Sequence, residues 1–188
     1  MRRLVHIPII HAAEDLGSQI EAVRKAYIAR YGIRGWQQHL RVVAQFWSEV
    51  RQAVLRFQQA GRLLRLYQDG LPVCERELEL VRELAGSGSE NYRLLADLAG
   101  EGAVLMGTED PDLLRQERRR WQEPASAFQP ASSSSYDPLM EQRDRYIAAR
   151  IDATLGPEPE LGLLFIGALH RVTEKLPPGI EVVRLTGA

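Results

Sequence analysis

Histidines and carboxylates recur in this chain where short apolar runs give way to loops. His11 follows the run Leu4 to Ile10, with Glu14 three residues on, and Gln68-Asp69 follows Leu63 to Tyr67. Thr108, Glu109 and Asp110 come just after Ala103 to Met106, and His170 follows Leu161 to Ile166 through Gly167. Imidazoles and carboxylates brought to one place do one of two things. They hold a divalent metal, with His11, Glu109 and His170 as the donors, or they serve as a general base with an electrostatic partner. Arg143 adds a cation able to stabilise developing negative charge. The candidate site is therefore His11, Glu14, Asp69, Glu109, Arg143 and His170. Plainer roles compete for some of these positions. Asp110 before Pro111 reads as a helix cap, Asp69 before Gly70 as a turn residue, and His6 and His39 as structural histidines.

These residues share a site only if the elements before them run the same way. Leu4–Ile10, Leu63–Tyr67, Ala103–Met106, Leu161–Ile166 and Ile180–Leu185 read as strands, and the fourth, a continuous apolar run, suits burial on both faces. Pro8 cannot donate a ladder hydrogen bond, which places the first strand at an edge or a bulge. Helical periodicity covers the stretch from Ser18, with a capping box to Glu21, to about Tyr31, where Gly32 ends it. A longer helix spans Trp36 to Gln59, with Leu40, Val43, Trp47, Val50, Val54 and Phe57 along one face. Further helices are expected over Glu75–Leu84, Asn91–Leu98, Asp112–Trp121 and Leu139–Leu155. Strands separated by helices imply an α/β fold: a mainly parallel sheet of about four to five strands with helices on both faces. Ligands of such sheets bind beyond the carboxyl ends of the strands, where the candidate residues lie. The proline- and serine-rich stretch 123–137 reads as a loop inside one domain of 188 residues.

The C-terminal third carries a resemblance. Glu141-Gln142-Arg143-Asp144, a helix through Ile147 and Ile151, then Leu164-Phe165-Ile166-Gly167-Ala168-Leu169-His170, resembles the closing segment of TraB/TIKI-type proteins. Their superfamily includes ChaN-like iron- or haem-binding proteins and erythromycin esterases. The resemblance implies a hydrolase, metal-dependent in some members, and carries over Arg143 and His170 residue by residue. His11 carries over less well, and Asp69 and Glu109 correspond only by position. The chain departs from the pattern where Ile9-Ile10-His11 replaces a glycine-bearing histidine motif, and where Gln68-Asp69 stands in place of a second-strand glutamate.

Composition is that of a globular protein, 45% apolar and 26% charged. A formal net charge of −1 supplies no global field for nucleic acid or an anionic membrane, and neither partner is expected. One cysteine, Cys74, rules out an internal disulfide and fits a cytoplasmic setting. No Gly-rich phosphate loop of the Walker or dinucleotide type occurs. Three functions remain: a hydrolase-like protein whose site sits at the strand ends, a non-catalytic domain binding a small molecule or peptide, and a homo-oligomeric assembly protein. The last would dimerise through the 36–59 helix, whose Phe46 and Leu55 fall off the main apolar stripe and whose Val42 lies near its margin.

Overall fold

A computed structural model of the chain describes residues 1–10, 20–59, 61–122 and 137–185. His11, Glu14, the cap at Ser18 and the expected loop through Ser132–Ser135 lie outside these residues. The β-branched and aliphatic runs form strands β1 (Arg2–Ile9), β2 (Leu63–Gln68), β3 (Val104–Met106), β4 (Glu160–Gly167) and β5 (Ile180–Arg184). They make a five-stranded sheet of order β3-β2-β4-β1-β5. Every pairing is parallel, so the carboxyl ends of all five strands share one rim.

Side chains alternate across the sheet and build a core on each face. On one face Val5, Ile7, Leu64, Leu66, Leu161, Leu163 and Phe165 pack against α1 (Ile20–Gln59), α2 (Glu77–Gly86) and α3 (Glu90–Gly100). On the other, Leu4, Tyr67, Leu164, Ile166 and Ile180 pack against Ile147, Ala148 and Ile151 of α5 (Pro138–Thr154). The remaining helix, α4 (Pro111–Gln122), follows β3. β4 is buried on both faces from Glu160 to Ile166, as its unbroken apolar run requires.

Two expectations need correction. β1 is an interior strand between β4 and β5, neither at an edge nor bulged. Pro8 is tolerated there because β1 turns alternate backbone groups to each neighbour. Leu185 N–H donates to the His6 carbonyl, so the even-numbered residues of β1 face β5. The β5 register ends at His6–Arg184, two residues before Pro8. The missing proline N–H therefore leaves no ladder bond unmade.

The second correction concerns α1. Leu40, expected on the inward stripe, is 38% exposed, whereas Val43, Trp47, Val50 and Val54 are buried. Phe46 and Leu55, expected as a second exposed surface, are partly buried and pack against the core. α3 lies beside α1, tied by Arg51–Asp97 at 2.8 Å. Val42, at the margin of that second surface, is 48% exposed.

Candidate functional site

The rim gathers side chains from four separated stretches of chain. Asp69 leaves β2 in a turn whose next residue, Gly70, has φ 75°, a conformation that favours glycine. Glu109 leaves β3, Arg143 projects from the first half of α5, and His170 follows β4. Arg143 is the organising cation. Its Nε donates to Glu109 Oε2 at 2.6 Å, and its Nη2 donates to Glu109 Oε1 at 2.7 Å and Asp69 Oδ1 at 3.0 Å. Its Nη1 pairs with Glu117 of α4. The Arg143–Glu109 contact is a two-bond fork, the geometry that a lysine cannot reproduce.

His170 supplies the second cation. Its Nδ1 donates to Asp144 Oδ1 at 2.5 Å, and its Nε2 lies 3.5 Å from Asp69 Oδ2. Both ring nitrogens face carboxylates, which calls for two N–H groups and hence an imidazolium. Burial alone would lower its pKa. Asp144 and Asp69 outweigh that effect and raise it to about 9. Backbone amides complete the arrangement: Gly167 N–H donates to Asp69 Oδ2, Gly70 N–H to Glu109 Oε1 and Arg171 N–H to Asp144 Oδ2. For Asp69, burial works against ionisation, but His170, Arg143 and Gly167 N–H together hold the carboxyl well below the usual carboxylate range. Burial pushes the Glu109 carboxyl up, Asp69 adds to this, and Arg143 opposes it.

The β3 end is positioned by a close backbone approach. Leu71 O accepts from both Thr108 N–H and Glu109 N–H, and Val73 N–H donates to Glu109 O. Thr108 Oγ1 accepts from Gln68 N–H and so ties the ends of β2 and β3 together. A Cβ on Gly107 would lie 2.6 Å from Val73 Cα and 2.9 Å from Pro72 O. Gly107→Ala must therefore displace the strand end that carries Glu109. We expect a loss of about 1–3 kcal/mol and a melting temperature lower by about 5 °C in thermal denaturation. An unchanged melting temperature would contradict this packing.

Of the six expected site residues, Asp69, Glu109, Arg143 and His170 thus converge on one network, while His11 and Glu14 lie outside the described residues. Asp69 is a turn residue before Gly70 and also an ion-pair partner of Arg143. Asp110 caps α4, its Oδ1 accepting from Asp112 N–H and Leu113 N–H. Of the expected metal set, His11 lies outside the described residues, and Glu109 and His170 are engaged by other side chains. Both Glu109 oxygens accept from Arg143, and both His170 nitrogens face carboxylates. Among the described residues no group of three or more His, Cys, Asp and Glu side chains is arranged to hold a metal.

Sequence reasoning missed Asp144 and Glu117. A signal for Asp144 was present: Leu139, Arg143, Ile147 and Ile151 form the buried i, i+4 stripe of α5, and Asp144 precedes Ala148 on the adjoining row. Charged residues at consecutive positions of an inward stripe mark buried, partnered charge. Glu117 carried no such signal, since it sits on a helix rich in exposed charge. A depression of about 420 Å³ beside α2, lined by residues such as Arg76, Glu79 and Arg82, shares no residue with the network. Comparison with family models, with curated proteins and with solved structures finds no match.

Proposed function

We infer that the chain is a hydrolase-like α/β protein whose reacting groups stand at the carboxyl rim of the sheet. The observation that carries this reading is the convergence there of Asp69, Glu109, Arg143 and His170, each from a different stretch of chain and each side chain at most 8% exposed. Burying charge costs several kcal/mol per ion unless it is well paired, and strongly perturbed groups concentrate at functional sites. The resemblance to TraB/TIKI-type hydrolases rests on the same Arg143 and His170.

In this reading Asp69 is the acid that acts on substrate or water, and Glu109, Arg143 and His170 are positioning residues that set it. His11 and Glu14, which follow β1 in the chain, are proposed to complete the acid/base set. His170, held as an imidazolium, is not the proton acceptor. The test is turnover of p-nitrophenyl acetate, p-nitrophenyl phosphate and a chromogenic peptide, with and without chelator. Turnover of one of them that Asp69→Asn lowers about a hundredfold or more, with the fold retained, supports the proposal. A protein that turns over none of them argues against it.

One observation favours a second reading, a non-catalytic domain for a small molecule or peptide. Arg143 and His170 are already matched by carboxylates, which suits a rigid framework as well as a reacting centre. Stabilisation of the melt by a bound compound without any turnover would select this alternative.

A further inference from the structure

The net charge of −1 conceals a strong asymmetry. From Ala22 to Ser48 the chain holds Arg24, Lys25, Arg30, Arg34 and Arg41 and no Asp or Glu. With 24 cations and 25 acids in all, the remainder holds 19 cations against 25 acids, a balance of −6. The same stretch contains Val23, Tyr31, Ile33, Leu40 and Val42, five of the twelve exposed large hydrophobic side chains among the described residues. Basic charge and exposed apolar surface therefore coincide in one part of α1.

The local geometry puts the sharpest part of this surface at a tip. Gly32 has φ 72° and ψ 171°, so the helix breaks there. The rings of Tyr27 and His39 lie 5.0 Å apart, whereas twelve residues of straight helix would separate them by ~18 Å. The chain thus turns back at Gly32, with Gly35 allowing Tyr31 to sit close. At the turn Tyr31 is 54% and Ile33 60% exposed, bracketed by the exposed Arg30 and Arg34. The Arg30 guanidinium lies 5.2 Å from the centre of the Tyr31 ring. Among the described residues, Lys25, Arg30 and Arg34 have no carboxylate partner. No residue from Glu21 to Gly35 is buried. A helix of that length is marginal in water on propensity alone, and in proteins most helical stability comes from packing.

We propose that this helical turn docks on an anionic lipid surface. Tyr31 and Ile33 enter the interfacial region, and Arg30, Arg34, Lys25 and Arg24 meet the headgroups. An interfacial segment needs this combination of apolar residues with flanking Lys and Arg. A second copy of the same face is a poorer occupant, because a twofold contact would set arginines against arginines. Nucleic acid would use the charges but would leave Ile33 and Val23 without a role. The docking is peripheral, since no helix of the described residues is long and apolar enough to cross a membrane.

The experiment is flotation of the whole chain with vesicles of phosphatidylcholine containing about 30 mol% phosphatidylserine, on the order of a charged leaflet, against pure phosphatidylcholine. Binding to the anionic vesicles alone, weakening as salt rises, is expected. Arg30→Gln with Arg34→Gln should reduce it about twenty-five-fold, at about fivefold per basic residue. Ile33→Ser should weaken vesicle binding while leaving any affinity for single-stranded RNA unchanged. Circular dichroism checks that these exposed substitutions leave the fold intact. No binding to anionic vesicles at low salt overturns the proposal. So does binding that the arginine pair does not affect, or RNA binding that competes fully while Ile33→Ser has no effect on vesicles.

Discussion

Replacing Arg143 with methionine is expected to lower the melting temperature by about 10 °C at neutral pH. The guanidinium is 4% exposed and carries bonds to Asp69, Glu109 and Glu117 at once. Removing one partner of a buried ion pair typically costs about 3–5 kcal/mol, because the other charge is left uncompensated. For a chain of this size each kcal/mol moves the midpoint by about 2–4 °C. The deficit should shrink on acidification. In the native protein Asp69 has a depressed pKa, so its contribution is fully present at both pH 7.5 and pH 5 and is lost only as pH falls below the unfolded value. In the variant, Asp69 and Glu109 face each other without the guanidinium, their pKa values rise, and protonation relieves them. Arg143→Met with Asp69→Asn should recover part of the loss. Melts at pH 7.5 and pH 5 compare the two, and a deficit that stays constant would show that lost packing, not charge, dominates. Arg143→Lys should fall between, since an ammonium keeps the charge and loses the fork on Glu109.

His170 should impose an alkaline limit on stability. Its folded pKa is raised from 6.5 to about 9 by Asp144 and Asp69 against the effect of burial. A raised folded value means that the histidine's contribution is fully present below the unfolded pKa and disappears as pH climbs through the folded one. The window is therefore about pH 6.5 to 9, and the contribution lost across it is about 3 kcal/mol. Urea denaturation from pH 6 to 9.5 should show that decline in the native protein and a nearly flat profile in His170→Gln. Asp144→Asn should lower the His170 titration point, followed by the ring resonances in NMR. An imidazole that titrates near 6.5 in the native protein would remove the argument that His170 is a fixed cation. It would also return the residue to the list of proton acceptors for the proposed hydrolysis.

Local signals carried much of the architecture. β-Branched runs separated by helical periodicity were enough for a parallel α/β sheet, because both signals live within a few residues and reflect burial on one or two faces. Parallel direction then places Asp69, Glu109 and His170 at the same rim, since all three come just after strands. Gly32 and Gly70 were readable as breaks, and both have positive φ. Asp110 before Pro111 was readable as a cap because a capping bond spans only two or three residues.

Long-range partners were not legible in that way. Nothing local to Pro8 shows that β5 stops pairing two residues earlier, so an interior position for β1 emerges only from strand order. Phe46 and Leu55 look unpartnered on a helical projection, yet both are partly buried against the core. Glu109 and His170 have the atoms of metal ligands, but whether those atoms are unengaged depends on Arg143, 34 residues from Glu109, and on Asp144, 26 from His170. The chain's own residues thus determined which groups stand at the strand ends and that the sheet is parallel. Only the tertiary structure decided that Arg143 and Asp144 engage them, because an ion pair depends on separations in space, and the folded helices set those.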